Sequence, residues 1–172
     1  MPRPRIDLPK SAPDIWLTLS ATLALAILAA ITAKGYADIP TTIPFRVGTS
    51  GWPELYADRV QYWILPFVGS LIFALVQLLT RRVHRFPYPV RITPHNAAAR
   101  YRIAIRLMQF LLTLLLLGLS YVQYYTLQVA AGNQPAPALM LAVLYLVVLV
   151  IGALHFSRQL YAPEKEVRVL QA

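Results

Sequence analysis

The sequence predicts an all-α membrane protein, a bundle of four transmembrane helices with a structured extracytoplasmic loop rich in Pro, Gly and Trp. Three observations lead to this fold class. The 172 residues are 58% hydrophobic and 13% charged, and this charged share is well below that of ordinary soluble domains. Uncharged apolar runs of about 20 residues, the length that crosses a bilayer core, recur between charged residues. Basic residues then cluster beside alternate ends of these runs.

The apolar runs also set the expected boundaries of each segment. The long stretch from Leu107 to Ser157 contains no charged residue, and the sequence GNQPAP divides it because Gly, Asn and Pro end helices. The resulting order is an N-terminal tail at 1–14, spans at 15–33, 60–80, 104–129 and 138–158, a first loop at 34–59, a basic connector at 81–103, a turn at 130–137 and a C-terminal tail at 159–172.

Lys and Arg predict the orientation of the spans. The N-terminal tail carries three of them, the stretch 81–106 carries seven arginines and the stretch 158–172 carries three, whereas the 34–59 loop carries three and the 130–137 turn none. Cytoplasmic segments of membrane proteins carry this excess. We therefore expect a multi-pass protein of the bacterial cytoplasmic (inner) membrane, with both termini in the cytoplasm and anionic lipid headgroups as partners.

Helix packing is predicted from small and polar residues in the spans. Ser20 and Ala24 in the first span and Ser70 and Ala74 in the second indicate a close pair, because small residues let helices approach in lipid. The Leu-rich third and fourth spans are expected to face lipid or a partner subunit. Pro66 predicts a kink in the second span. Three polar residues are expected to hydrogen-bond between helices: Gln77, Gln109 and Gln123.

The basic connector is predicted to be ordered. Its FPYP stretch holds the chain extended, and Thr93 followed by Pro94 is typical of a helix start. The arginines are expected to contact anionic lipid or an acidic partner, whereas nucleic acid is not expected because no aromatic-plus-basic reading surface is present. The candidate interaction residues of this segment are Arg81, Arg82, Arg85 and Arg91.

Motifs for catalysis or metal binding are missing from the sequence. The chain has no cysteine, which excludes thiolate chemistry, and it contains no Gly-x-Ser-x-Gly, phosphate-binding loop or HExxH motif. The spans contain no carboxylate of the kind that couples transport to ions. We therefore predict a protein that is not an enzyme and has no cofactor, with His155 and His84 as weak candidates for haem or chlorophyll ligation.

The first loop is the second candidate interaction surface. Its prolines and glycines predict a compact, turn-rich shape, with a short helical turn at 53–58. An aromatic side chain beside a cation is a common anchor in recognition surfaces. The candidate residues of this loop are Phe45, Arg46, Trp52 and Tyr56.

A resemblance to a known family is carried by the loop and the connector. The connector part is the stretch FPYPVRITPHNAAARYRIAIR, which runs from a Tyr-Pro-Val into an Arg-bearing helix. The loop residues and one proline of the second span complete the pattern: Ile39, Pro40, Ile43, Pro44, Phe45, Gly51, Trp52 and Pro66. Together these features resemble domain-of-unknown-function family 1648, a module shared with SdpI-type immunity proteins. The resemblance implies a multi-span helical protein without known catalytic activity and, in the immunity branch, a response to an extracellular toxic peptide.

Two functions are consistent with these expectations. The first is a non-catalytic accessory or scaffolding subunit of a larger membrane assembly, which the Leu-rich spans and the missing active site favour. Its partners would be other integral membrane subunits. The alternative is a sensor or immunity-type protein that binds a peptide or a lipid through the loop at 39–59.

Overall fold

The computed structural model describes residues 8–9, 11–47, 53–88, 90, 92–133 and 139–161; at 44–47, 53–57 and 139 it describes the backbone alone. Four long helices dominate it: α1 (Ala12–Asp38), α2 (Ile64–Thr80), α3 (Ala97–Ala130) and α4 (Leu139–Tyr161). Two strands, β1 (Thr42–Val47) and β2 (Pro53–Asp58), lie between α1 and α2. Four helical segments are long and apolar enough to cross a membrane, with the 3-10 turn Arg59–Trp63 extending the second. The predicted class of multi-pass helical membrane protein is therefore confirmed.

Helix α3 is the central element of the bundle, because it contacts each of the other three helices. Its main neighbour is α1, and their shared core contains Ala24 and Leu28 from α1 with Leu112 and Leu116 from α3. The sequence predicted a close pair of the first two spans, and third and fourth spans that face lipid or a partner subunit. The first expectation is wrong because α1 lies chiefly against α3, although Gly69 of α2 also packs closely on Leu28. The second is wrong for α3, whose buried residues pack against the other helices.

Two helix starts differ from the sequence-based expectation. Pro66 lies in the first turn of α2, directly after the 3-10 turn Arg59–Trp63, where the missing N–H of proline breaks no intrahelical bond. It therefore shapes the start of α2 and does not kink its middle. Asn96, and not Thr93, is the N-cap of α3; its side-chain Oδ1 accepts a hydrogen bond of 2.9 Å from the backbone N–H of Thr93.

Strands β1 and β2 form an antiparallel hairpin in which Thr42 pairs with Asp58 and Ile43 with Ala57. The register shifts beyond Pro44. Residues 53–58 are thus a strand, whereas the sequence predicted a helical turn. Most residues of this segment have low strand propensity, so its extended conformation depends on pairing with β1 and not on local preference.

The two ends of the bundle are named here for the segments they carry. The hairpin end comprises 39–63 and the last turns of α3; the connector end comprises the start of α1, residues 80–106 and the last turn of α4. At the hairpin end the buried Ile39, Ile43 and Tyr62 pack against Leu127 and Ala130. This apolar cluster attaches the start of the hairpin to α3.

Candidate ligand site at the connector end

Asp14 is the centre of a charged cluster at the connector end. It lies in the first turn of α1, where its Oδ2 accepts hydrogen bonds from the backbone N–H of Ser11 at 2.9 Å and from the Ser11 hydroxyl at 2.6 Å. Arg106 of α3 donates through Nε to Oδ1 of Asp14 at 2.6 Å. The Nε of Arg102 lies 3.6 Å from Asp14 Oδ2. These bonds join the beginning of α1 to α3.

The cluster borders a pocket of about 940 Å³. Helices α1, α2 and α3 and the start of the connector all contribute to its walls. Its volume lies in the range of small-molecule binding sites. Both polar and apolar side chains line it, and its charged and amide side chains include Asp14, Gln77, Arg81, Arg82, Arg85 and Arg102.

The residues that line the pocket include a pair of amides, Gln77 and Gln109, that join α2 to α3. Gln109 donates to Gln77 Oε1 at 3.0 Å, and Gln77 donates to Gln109 Oε1 at a longer 3.4 Å. Gln109 is buried. An amide group has two N–H donors, and the reciprocal pair uses one from each side chain. The predicted interhelical role of these two glutamines is therefore confirmed.

The pocket carries an excess of positive charge. Among the described residues that line it, Asp14 is the acid, while Arg81, Arg82, Arg85 and Arg102 are cations. Asp14 is already engaged by Arg106 and Arg102. No carboxylate of the described residues lies within salt-bridge distance of the three connector arginines, so their charge is available to an anion.

The predicted interaction residues are only partly placed by the structure. Arg81, Arg82 and Arg85 lie together on the pocket wall. Arg91 and Trp52 lie outside the described residues, and Phe45, Arg46 and Tyr56 are described by their strand backbone alone. The candidate surface on the hairpin therefore stays a prediction, whereas three of the four connector arginines share one site.

The two histidines considered for cofactor ligation lie in different surroundings. His84 lines the pocket beside Arg85. His155 lies on α4, with its Nε2 at 3.0 Å from Gln159 Nε2 and its ring edge-on to Phe156. Among the described residues, no group of three or more His, Asp or Glu side chains has the arrangement to hold a metal ion. Ligation of a haem or chlorophyll by His155 stays a prediction.

Arg100 has a role that sequence reasoning missed. Its side chain is buried, with 4% exposed, and its guanidinium donates to the backbone carbonyls of Gln159, at 2.8 Å, and of Leu160. The last carbonyls of a helix have no partner within that helix, and a cation there also suits the helix dipole. Arg100 of α3 thus caps the end of α4.

The signals for the charged cluster are visible in the sequence but incomplete. Ser11 and Asp14 have capping-box spacing, and Arg102 and Arg106 lie four residues apart, on one face of a helix. Nothing local shows that these two pairs meet, because about 90 residues separate them. The sequence therefore assigns the connector arginines to the headgroups. The structure instead places Arg100, Arg102 and Arg106 in internal contacts. It places Arg81, Arg82 and Arg85 on the wall of the pocket.

Gln123 forms a neutral network near the hairpin end. This fully buried side chain donates to the Thr32 hydroxyl at 3.1 Å and to the backbone carbonyl of Tyr62 at 3.0 Å. It joins α3 to α1 and to the turn before α2, as the sequence predicted for an interhelical glutamine. Within the described residues, the Tyr62 hydroxyl and Gln123 Oε1 are buried and show no hydrogen bond of normal geometry.

Comparison with known proteins adds nothing to this geometry. No protein-family model matches the chain, and no curated protein or solved structure is detectably similar to it. The resemblance to domain-of-unknown-function family 1648 consequently stays a prediction. The class supported by the fold is that of a multi-pass helical membrane protein.

Proposed function

We propose that the chain is a non-catalytic integral membrane protein that serves as an accessory or scaffolding subunit of a larger membrane assembly. The observation that carries this proposal is the surface of α4. The apolar window of this helix has none of its residues buried inside the bundle, whereas 39% of the window of α3 is buried. Helix α4 thus adds a wide apolar surface that the bundle itself does not use.

Helix α4 is attached to α3 along one side. The Tyr145 hydroxyl donates to the Leu114 carbonyl at 3.2 Å, and the rings of Phe110 and Phe156 lie 5.7 Å apart. A Cβ added to Gly152 would come within 2.3 Å of the Phe110 ring, so the two helices approach closely there. This fixed side determines which residues of α4 face outward.

The outward side of α4 carries a regular apolar stripe. Its members are spaced alternately four and three residues apart, and each is between 44% and 85% exposed. This is the heptad spacing with which apolar helices pack into one another. In lipid, such packing drives helix association because burial from water contributes nothing there. The stripe consists of Met140, Leu144, Val147, Ile151 and Leu154.

The proposal is tested by cross-linking in native membranes. The chain has no cysteine, so a benzophenone can be attached through a single introduced thiol. We expect Leu144→Cys, Val147→Cys and Ile151→Cys to give a discrete protein adduct. Leu71→Cys is the matched control, since Leu71 is an exposed apolar residue of α2.

The pattern across positions decides the outcome. Adducts of one mass from the three stripe positions, with none from Leu71→Cys, support a partner helix seated on α4. Lipid adducts alone from all four positions would rule out a subunit contact through this face. An adduct of twice the mass of the chain would identify the partner as a second copy.

We also propose that the protein lies in the bacterial cytoplasmic membrane with the connector end in the cytoplasm. The asymmetry of Lys and Arg supports this orientation. A membrane-impermeant maleimide applied to spheroplasts should label Gly132→Cys, whose position is exposed between α3 and α4. It should label His95→Cys, at the connector end, only after the spheroplasts are lysed. The reverse labelling pattern would invert the topology.

A sensor or immunity-type role through residues 39–59 is the alternative. The antiparallel pairing of β1 and β2 supports it, because a hairpin attached to the bundle by Ile39 and Ile43 could present its far end to a peptide or lipid. Its test is protection of cells against a toxic peptide, with Trp52→Ala and Arg46→Ala as variants. If both variants protected cells as well as the wild type does, Trp52 and Arg46 would have no part in such a role.

A further inference from the structure

We propose that the pocket at the connector end binds a phosphate group carried on a small polar head. The inference does not depend on the subunit role, because it concerns a site on α1, α2 and α3 and not the outward side of α4. Four features support it: the volume of the pocket, its charge, the type of its hydrogen-bond donors and its mixed walls.

The charge of the site selects for an anion. Asp14 is neutralised by Arg106, whose Nε lies 2.6 Å from Oδ1, and by Arg102 at 3.6 Å. Arg81, Arg82 and Arg85 remain without a carboxylate partner among the described residues. Three arginines that line one cavity favour a ligand with more than one negatively charged oxygen.

The donor type favours phosphate among anions. Each guanidinium is a planar fork of N–H groups whose spacing matches two oxygens of a phosphate, and its charge-assisted bonds are strong. Arg81 and Arg82 follow the last residue of α2, and Arg85 ends the next short turn. The three forks therefore reach the pocket from a single segment of chain.

The length of the pocket along α3 indicates that the phosphate is part of a larger head. From Arg102 to Gln109 the wall follows α3 for seven residues, or about 10 Å at the helical rise. A phosphate held by the connector arginines leaves the amides of Gln77 and Gln109 free to meet a hydroxyl group further in. Their second N–H donors face that hydroxyl, and Thr18, whose hydroxyl donates to the Asp14 carbonyl, also lines the pocket and can accept a hydrogen bond there.

The walls also distinguish between sources of the phosphate. Leu8, Val83 and Ile105 line the pocket beside the polar groups, and a free ion would gain nothing from them. The glycerol and first methylene groups of a phospholipid would pack there. The shared chemistry is thus a phosphate on arginine forks, and the apolar wall favours a phospholipid headgroup over inorganic phosphate.

Binding is measured on the full-length protein by native mass spectrometry from neutral phosphatidylcholine nanodiscs that contain a small share of phosphatidylglycerol. The wild-type protein should retain one phosphatidylglycerol. Arg82→Gln should weaken retention about tenfold, the effect of losing one charge-assisted pair. Arg81→Gln/Arg82→Gln/Arg85→Gln should abolish it. Arg158→Gln is the matched control, since Arg158 is likewise an exposed cation of the connector end but does not line the pocket.

Further variants separate a site from general surface charge. Arg82→Lys keeps the charge but loses the fork, so retention should fall partway between wild type and Arg82→Gln. Equal losses in Arg82→Gln and Arg158→Gln would show that lipid responds to diffuse charge, and the proposal would be overturned. All of the variants except the triple one change a single exposed side chain, so their folding is not at risk.

A titration in detergent solution identifies the source of the phosphate. The detergent-solubilised protein is titrated with glycerol 1-phosphate and, separately, with inorganic phosphate, with the melting temperature as the readout. Stabilisation by glycerol phosphate at lower concentration than by inorganic phosphate, lost in Arg82→Gln, supports the headgroup. Equal stabilisation by both would make free phosphate the ligand. No stabilisation by either, together with no retained lipid, would reject the site.

Discussion

The two ends of the bundle satisfy their buried polar groups in different ways. The connector end uses charge: Asp14 is held by Arg106 and Arg102, and Arg100 caps α4. The hairpin end uses neutral groups: Gln123 bonds Thr32 and the carbonyl of Tyr62. Ions are costly away from water unless paired and hydrogen-bonded, whereas amides and hydroxyls cost less. The comparison distinguishes an end whose charged groups border a pocket from an end where the polar side chain of Gln123 is enclosed by the bundle.

The largest effect on stability is expected from disrupting the charged cluster around Asp14 at the connector end. Asp14→Ala removes the shared acceptor of Ser11, Arg102 and Arg106, and leaves two largely buried cations without it. We expect a loss of about 2–4 kcal/mol in the free energy of unfolding, measured by thermal and denaturant unfolding in mild detergent.

Asp38→Ala is the matched control, because it removes an exposed aspartate from the other end of the same helix. An acid in the last turn of a helix opposes the dipole, so its removal should be neutral or slightly stabilising. Equal losses in the two variants would show that Asp14 acts through the helix and not through the arginines.

A smaller effect on the free energy of unfolding is expected at the hairpin end. Gln123→Leu removes two interhelical hydrogen bonds and leaves the Tyr62 carbonyl without its donor. The free energy of unfolding should fall by about 1–2 kcal/mol. Gln128→Leu, on the same helix but with exposed hydrogen bonds, should change it by less than about 0.5 kcal/mol. A larger loss in Gln128→Leu would contradict the assignment of Gln123 as the link between helices.

Packing at the hairpin end can be tested at Gly35. A Cβ there would lie 2.8 Å from the Tyr62 hydroxyl and 2.9 Å from a methyl group of Leu127, so Gly35→Ala forces these side chains apart. Crowding of this kind costs about 1–2 kcal/mol, partly offset by the better helix propensity of alanine. Lys34→Ala, at the exposed neighbouring position, should be close to neutral. A melting temperature raised by Gly35→Ala would show that this end is loosely packed.

The smallest effect concerns salt. Raising NaCl from about 0.05 to 0.5 M shortens the screening length severalfold and should destabilise the wild type by about 0.5 kcal/mol through the Asp14 cluster. Gln123→Leu should keep this dependence and Asp14→Ala should lose most of it. If Gln123→Leu lost the salt dependence and Asp14→Ala kept it, the electrostatic contribution would not come from the Asp14 cluster.

The sequence predicts where the transmembrane helices lie better than it predicts which helices contact one another. Charged residues and the GNQPAP break locate the four helices, since the cost of charge in lipid limits each apolar run. Residues that face a helix and residues that face lipid are equally apolar, however, so composition cannot show that α3 is central. Its buried Gln109, Ser120 and Gln123 were the available sign, because polar side chains in lipid point toward other helices.

The pocket could be anticipated only in part. The sequence groups Arg81, Arg82 and Arg85 as a basic segment, and Gln77 and Gln109 as interhelical amides. Their position around one cavity depends on where α2 ends against α3, a long-range contact that no local pattern encodes. Asp14 shows the same difficulty, because its capping role is local and its ion pairs are not.

The length of α3 relates the bundle to membrane thickness. Its 34 residues extend about 51 Å, whereas a bilayer core is about 30 Å thick. One end of this overhang carries Arg100, Arg102 and Arg106, whose bonds to α1 and α4 fix the height of those helices along α3. These bonds resist sliding of α1 and α4 along α3 when the membrane is thicker or thinner. The three helices then have to tilt as a unit or deform the lipid around them, so hydrophobic mismatch acts on them together.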